Sequence, residues 1–260
     1  MARVAMVTGA GSGLGEAIAM RLAEDGDLVI VNDLDADGAA RTADKVGGHI
    51  AVSDVTDSAA FDAAVDGVVD EHGSIDVLVN NAGIGEGKQG QQIREISSDG
   101  FELRFAVNYL APFLLTRILI PLLRRSVPSA IVNVSSISQR QIDFYDLMLE
   151  RHYDPQAAYG QSKLALVMMT LDLAEELRGD GITVNAVHPG NLLNTKMVRE
   201  AFGHGWGDPQ EGADAVINIV TSYALEGVTG RFFAQGYEAT AHPQAYNPRA
   251  RNMLRELSLG

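Results

Sequence analysis

"VAMVTGAGSGLGEAIAMRLAEDGDLVIVND", residues 4 to 33, is the stretch on which the fold turns. "VAMVTG" (4–9) is a short apolar run of strand character. "TGAGSGLG" (8–15) is a glycine-rich turn, and a helical pattern follows near 14–25. "LVIVND" (28–33) is a second strand-like run. Glycines between strand and helix let backbone approach a ligand where a Cβ would block it. They also aim the helix N-terminal N–H groups at an anion such as a pyrophosphate. Asp33 ends the second run 18 residues beyond Gly15, close to the spacing at which a carboxylate meets an adenosine ribose. A carboxylate there repels a 2′-phosphate, and neither the turn nor Asn32 supplies an Arg or Lys. The pattern therefore favours NAD(H), with NADP(H) as the alternative. Asp33 could equally be the N-cap or turn residue that opens the next helix.

The same rhythm continues outward. "HIAVSD" (49–54), "IDVLVNN" (75–81), "AIVNVSS" (130–136), "ITVNAVHPG" (182–190) and "GRFF" (230–233) read as further strands. Their Val and Ile content suits strands covered on both faces. Helical patterns lie between them near 36–45, 57–72, 98–125, 157–179 and 210–224. This alternation predicts one α/β domain over 1–260: a doubly wound, mostly parallel sheet of about seven strands flanked by helices. Two stretches interrupt it, at 137–157 and 191–208, and long insertions of this kind often act as lids or binding loops. The tail ends in a short amphipathic helix, with a neighbouring subunit as a candidate docking place.

Composition narrows the function. The 260-residue chain is 46% hydrophobic and 21% charged, an ordinary globular balance. Its net charge of −14 repels phosphate backbones and argues against nucleic acid. There are no cysteines, which excludes disulfides, thiolate metal sites and a cysteine nucleophile. "RVAMVTG" is too short an apolar run for a secretory signal. The most membrane-like segment, 101–123, contains Glu102, Arg104, Asn108 and Arg117, so it reads as a buried helix. A soluble cytoplasmic protein with no membrane partner is the expectation. The six histidines show no metal-ligand spacing, and no metal is expected. Met168 and Met169 read as core.

In an open parallel sheet, ligands bind outside the carboxyl ends of the strands. Here those ends carry the glycine turn, Asp33, Asp54, Asn80-Asn81-Ala82-Gly83, Ser135-Ser136 and His188-Pro189-Gly190. In "AYGQSKLALVMM" (158–169), Tyr159 and Lys163 are four apart and share a helix face. An ammonium lowers the pKa of a nearby phenol, ordinarily ~10, and fits it for proton transfer at a carbonyl or carbinol oxygen. A Tyr–Lys pair can also be mere helix surface. His188 is read mainly through its backbone. His152, His204 and Trp206 are candidates for contact near the insertions.

Taken together, these residues resemble the short-chain dehydrogenase/reductase family over nearly the whole chain. "TGAGSGLG" matches its cofactor turn at Gly9, Gly13 and Gly15, in the three-two spacing of the single-domain branch, and Ser12 and Leu14 fall inside it. Asp33 matches the acid of NAD-preferring members, and Asp54-Val55 the pair that contacts adenine. "NNAG" (80–83), with Asn81, Ala82 and Gly83, matches the segment flanking the cofactor. Asn108 matches the helical Asn of the proton relay and Ser136 the Ser that ends the fifth strand, with Ser135 and Ser138 as rivals. Tyr159 and Lys163 match the active-site pair. Pro189-Gly190 and Thr195 match the stretch that holds the nicotinamide carboxamide. Ser136 precedes Tyr159 by 23 residues, longer than most members and similar to the retinol dehydrogenase-like branch and related bacterial oxidoreductases.

The resemblance implies hydride transfer between NAD(H) and an alcohol/ketone pair, on a mostly apolar substrate. Tyr159 would be the acid or base, and Ser136 would bind the substrate oxygen. Lys163 would hold the nicotinamide ribose and depress the Tyr159 pKa, helped by the oxidised cofactor's positive ring. Asn108 would anchor a water. It also implies a homodimer or homotetramer through the helices at 98–125 and 157–179. The rival readings are an NADP(H)-dependent ketoreductase of secondary metabolism and, in another class, an NAD(H)-binding regulator without turnover.

Overall fold

The computed structural model describes residues 2–88 and 92–259, without the side chains at 58, 62 and 68–72. Strands β1 (Val4–Thr8), β2 (Leu28–Asp33), β3 (His49–Val52), β4 (Val77–Asn80), β5 (Ser129–Val134), β6 (Ile182–His188), β7 (Phe232–Ala234) and β8 (Tyr237–Ala239) form one sheet. Its order is β3-β2-β1-β4-β5-β6-β7-β8. The first seven strands run parallel, and β8 returns antiparallel to β7. The order reverses between β1 and β4, which places the ligand crevice there. The eighth strand was not expected. It forms because Gln235 and Gly236 both take positive φ (51° and 85°), a two-residue hairpin turn.

Side chains alternate across the pleat, so each apolar run serves two cores. Ala5, Val7, Val29, Val31, Val79 and Val132 pack with Ile18 and Leu22 of α1 (Gly13–Glu24) and Val216 of α8 (Pro209–Thr221). Met6, Ile30, Leu78 and Ile131 face the opposite core with Phe113, Leu119, Leu166 and Met169. That is why period-two alternation of polarity is missing from the sequence and the strands read as continuous Val/Ile runs. Helices α2 (Ala36–Val46) and α3 (Ser58–His72) complete the first crossovers.

The helix expected over 98–125 begins later. Glu102 accepts the Phe105 N–H and caps α4 (Leu103–Phe105). A π-helical turn (Ala106–Leu110) and α5 (Ala111–Leu123) continue it without a break. This run is long and apolar enough to cross a membrane by composition, yet 67% of its most apolar window is buried inside the fold. It is the core helix that its charges suggested.

Helix α6 (Pro155–Glu176) starts at Asp154, whose side chain accepts the Gln156 N–H. Every residue from Gln161 to Leu171 is buried within the single chain. Met168 and Met169 are core, as expected. The covering comes from two places. One is the 137–154 insertion, where Gln161 donates to the Leu147 carbonyl and accepts the Asp143 N–H. The other is the tail helix α9 (Pro248–Leu259), which packs on its own chain rather than requiring a neighbour. Arg251 and Arg255 reach Asp172, and Tyr109 shares a hydrogen bond with Ser258. Much of the helix at 157–179, where a subunit contact is expected, is covered by its own chain, while Glu175 and Glu176 stay exposed. The 191–208 stretch, which showed no periodicity, contains a short helix, α7 (Lys196–Phe202), capped by Thr195.

Candidate active site

The glycine turn is shaped by contacts that a side chain would destroy. Gly9 and Gly13 adopt positive φ (64° and 59°). A Cβ on Gly15 would run into the Gly9 carbonyl, and one on Gly9 would stand 2.8 Å from Ala82 Cα. Thr8 and Asn81 lock this turn to the end of β4. Thr8 Oγ1 accepts the N–H groups of Asn81 and Ala82, and Asn81 Nδ2 donates to the Thr8 and Gly9 carbonyls. Ser12 is the N-cap residue of α1 but makes no side-chain cap bond, and it is exposed. The result is a helix N-terminus preceded by a glycine-lined turn, which suits a pyrophosphate.

Asp33 is the turn residue before α2, whose N-cap is Asp35. Its Oδ1 accepts the Asp35 N–H (2.9 Å), opening the turn to α2, while Oδ2 accepts the Gly11 N–H (2.8 Å). It sits at the rim beside Asp35 and Asp37, and the nearby Arg41 reaches toward Asp35 at 3.9 Å. Asp54 is braced by Thr56, and Val55 packs at the edge of the core. Leu14 lies against the α8 backbone at Gly212, next to Leu193. Thr195 lies over the turn: a Cβ on Gly13 would touch its methyl at 3.4 Å. Pro189-Gly190 leads into this lid, and His188, buried, shares a hydrogen bond with Asn191 (3.1 Å). The imidazole does hold a partner, and burial lowers its pKa.

The reacting wall is built by β5 and α6. Ser135 is spent on structure, donating to the Lys163 carbonyl (2.9 Å), and Ser138 is exposed. Ser136 is the hydroxyl that meets Tyr159 and acts to lower its pKa. Ser136 Oγ is itself fixed by the Ser138 N–H (3.1 Å). Of the three serines, Ser136 is thus the one that meets Tyr159. Lys163 is buried, with Nζ 3.0 Å from the Val134 carbonyl and 5.9 Å from the Tyr159 ring centre.

In the protein alone the Tyr159 phenol is raised: desolvation dominates, the Ser136 hydroxyl opposes it, and the Glu86 carboxylate adds to the rise. Lys163 turns its ammonium to a backbone carbonyl, and burial pushes its own pKa down to about 8. Tyr159 therefore rests as a neutral phenol, the form that donates a proton.

Asn108 sits in the π-helical turn, a distortion often found at functional sites. Its Oδ1 accepts the Ile84 N–H. Its Nδ2 donates to the Ile84 carbonyl and to Ser162, which in turn donates to the Tyr159 carbonyl. Both amide hydrogens are thus used as a brace between the β4 loop and α6. A Cβ on Gly83 would lie 3.1 Å from Asn108 Oδ1 and 3.5 Å from Lys163 Nζ. The two groups flank one glycine, and the remaining lone pair of Oδ1 is the part suited to a water.

Below the site, Asn80 donates to Thr116 and Asn133, and Asn133 to Thr170, so buried amides stitch β4, β5, α5 and α6 together. Sequence reading missed a second cluster. Glu102, Arg104 and Tyr153 meet beside the β4 loop, with Arg104 buried. The capping position of Glu102 was a legible signal, whereas the approach of Tyr153 from the insertion was not. His152 is exposed, and His204 stacks edge-on against an exposed Trp206 at 4.0 Å on the lid.

Comparison with known proteins agrees with this geometry. A family model described as short chain dehydrogenase matches residues 3–204. Retinol dehydrogenase 12 of Bos taurus is 32% identical over 98% of this chain and 85% of its own length. The structure of 3-ketoacyl-(acyl-carrier-protein) reductase from Brucella melitensis complexed with NADH superposes with a TM-score of 0.74 at 30% identity, covering 89% of this chain and 96% of that one. The RhlG/NADP active-site complex from Pseudomonas aeruginosa also gives 0.74, at 28% identity over 89% of this chain and 94% of that one.

Proposed function

Because the chain belongs to the short-chain dehydrogenase family, we propose that Tyr159, Ser136 and Lys163 are the residues that carry its chemistry. The protein is an NAD(P)-dependent oxidoreductase that interconverts an alcohol and a carbonyl compound. The bound nicotinamide supplies or accepts the hydride. Tyr159 gives a proton to the carbonyl oxygen in reduction and removes it from the carbinol in oxidation. Ser136 would hold the substrate oxygen at that hydroxyl, and Lys163 would hold the ribose of the nicotinamide. One observation carries this reading: the Tyr159 phenol meets the Ser136 hydroxyl, and the buried Lys163 ammonium lies 5.9 Å from the Tyr159 ring centre.

NAD(H) is the proposed cofactor. Asp33, with Asp35 and Asp37 beside it, makes the adenosine rim acidic and hostile to a 2′-phosphate. The two solved neighbours hold one cofactor each and favour neither. The proposed substrate is mostly apolar, supported by relatives named for retinol and by the exposed Phe202 and Trp206 on the lid. A soluble, cytoplasmic setting belongs to the same proposal, supported by the burial of 103–123. Self-association, common in this family, belongs to the same proposal, as a homodimer or homotetramer.

Side-by-side titration with NADH and NADPH, on a panel of benzaldehyde, cyclohexanone and retinaldehyde, tests this reading. Preference for NADH that weakens in Asp33→Ala supports it. Wild-type preference for NADPH removes the role given to Asp33.

A further inference from the structure

Arg104 is a buried cation, 3% exposed. Nε donates to the Gly85 carbonyl (2.9 Å) and Nη2 to the Glu86 carbonyl (3.1 Å). Nη1 donates to the Tyr153 hydroxyl (2.6 Å) and to Glu102 Oε1 (3.3 Å). Tyr153 closes the ring by donating to the same Glu102 oxygen (3.1 Å). A Cβ on Gly87 would come within 2.9 Å of Nη2, so the guanidinium lies flush against the loop backbone.

This cluster gathers the elements that surround the reaction. Gly85 and Glu86 continue the loop whose Gly83 flanks Asn108 and Lys163, and the Glu86 carboxylate acts on Tyr159. The lid also rests there: a Cβ on Gly85 would meet Met197 Cγ at 2.8 Å. Glu102 caps the helix that leads into the π-helical turn at Asn108. Tyr153 lies two residues before Pro155, where the helix carrying Tyr159 begins. A buried ion pair is a poor source of stability compared with apolar packing, so its value lies in the geometry it enforces. The forked donor set of arginine can hold two carbonyls and a hydroxyl at once, which the single ammonium of lysine cannot.

We propose that Arg104 is a positioning residue for the reaction: with Tyr153 and Glu102 it sets the spacing between the β4 loop and the head of α6. The proposal rests on Tyr159 being the proton donor. Arg104 touches neither substrate nor cofactor and acts through the loop and the helix it joins.

Kinetics of Tyr153→Phe, Arg104→Lys and the double variant, with NADH and the fastest carbonyl of the panel, test it. Tyr153→Phe removes a single oxygen from the cluster. The expected result is a kcat loss of about 10- to 100-fold, as for a sub-ångström to ångström misplacement. Both KM values stay within about threefold. The double variant is no worse than Arg104→Lys, because both changes break one unit. Amide hydrogen exchange of residues 84–88 quickens while the thermal midpoint holds. Unchanged kcat with a lowered midpoint, a loss confined to KM, or multiplying losses in the double variant would each overturn the proposal. If Arg104→Lys does not fold, Tyr153→Phe decides by kcat and exchange. Tyr159→Phe is run in parallel. Full turnover there defeats the site reading itself, whereas a dead Tyr159→Phe beside wild-type kcat in the other variants defeats only the role of Arg104.

Discussion

Burial and the Glu86 carboxylate both keep Tyr159 a neutral phenol, which suits the proposed role of proton donor. The direction of the pH dependence follows. Reduction needs the phenol and should hold through neutral pH, then fall as the phenol ionises. Oxidation needs the phenolate and should rise over the same alkaline range. Glu86→Gln removes a charge that raises the phenol, so the limb common to both profiles should move to lower pH, read from kcat/KM against pH. Lys163 carries a stability consequence as well. Its folded pKa, about 8, lies below the unfolded value, so between about 8 and 10.4 the unfolded chain binds more protons and stability rises with pH. Lys163→Met should abolish that rise and stabilise the protein at pH 7 by on the order of a few kcal/mol, read by chemical denaturation at both pH values. At this scale the sequence showed that Tyr159 and Lys163 share a helix, but not that burial would raise the phenol in the protein alone. An i,i+4 pair shows that two groups share a face; it does not show that the ammonium will turn away to the Val134 carbonyl.

Among elements, the glycine turn was the most legible, since its residue types are dictated by backbone that nothing else can adopt. Gly15→Ala would force α1 off β1 by collision with the Gly9 carbonyl. It should weaken NADH binding about tenfold or more by fluorescence titration, while the chain stays folded. The strands were legible because both faces are covered. The β7–β8 hairpin was not, since Gln235 takes a positive φ that its residue type does not advertise. The start of the 98–125 helix was misplaced for a different reason. Its first turn depends on Glu102, Arg104 and Tyr153 meeting, a tertiary arrangement with no local periodicity. The insertion was visible as a break in rhythm, but its anchoring through Gln139, Gln161 and Gln244 involves partners up to 103 residues distant.

For the whole molecule, insertion and tail together wrap α6, so that it is enclosed by its own chain. Arg251 and Arg255 clamp the tail onto Asp172, which keeps only 12% of its side chain exposed. Deleting 248–260 should uncover Tyr109, Phe113, Met169 and Leu173. It is expected to promote self-association, seen as a faster-sedimenting species than the full chain at equal concentration. Equal sedimentation of the two forms would show that α9 does not shield that surface. The helix so enclosed carries Tyr159. The whole account therefore converges on one hydroxyl. Its most direct test is Tyr159→Phe, assayed for carbonyl reduction beside a titration of NADH binding. The account predicts turnover reduced by roughly 10³-fold or more with affinity for the dinucleotide kept. Turnover equal to wild type would contradict it.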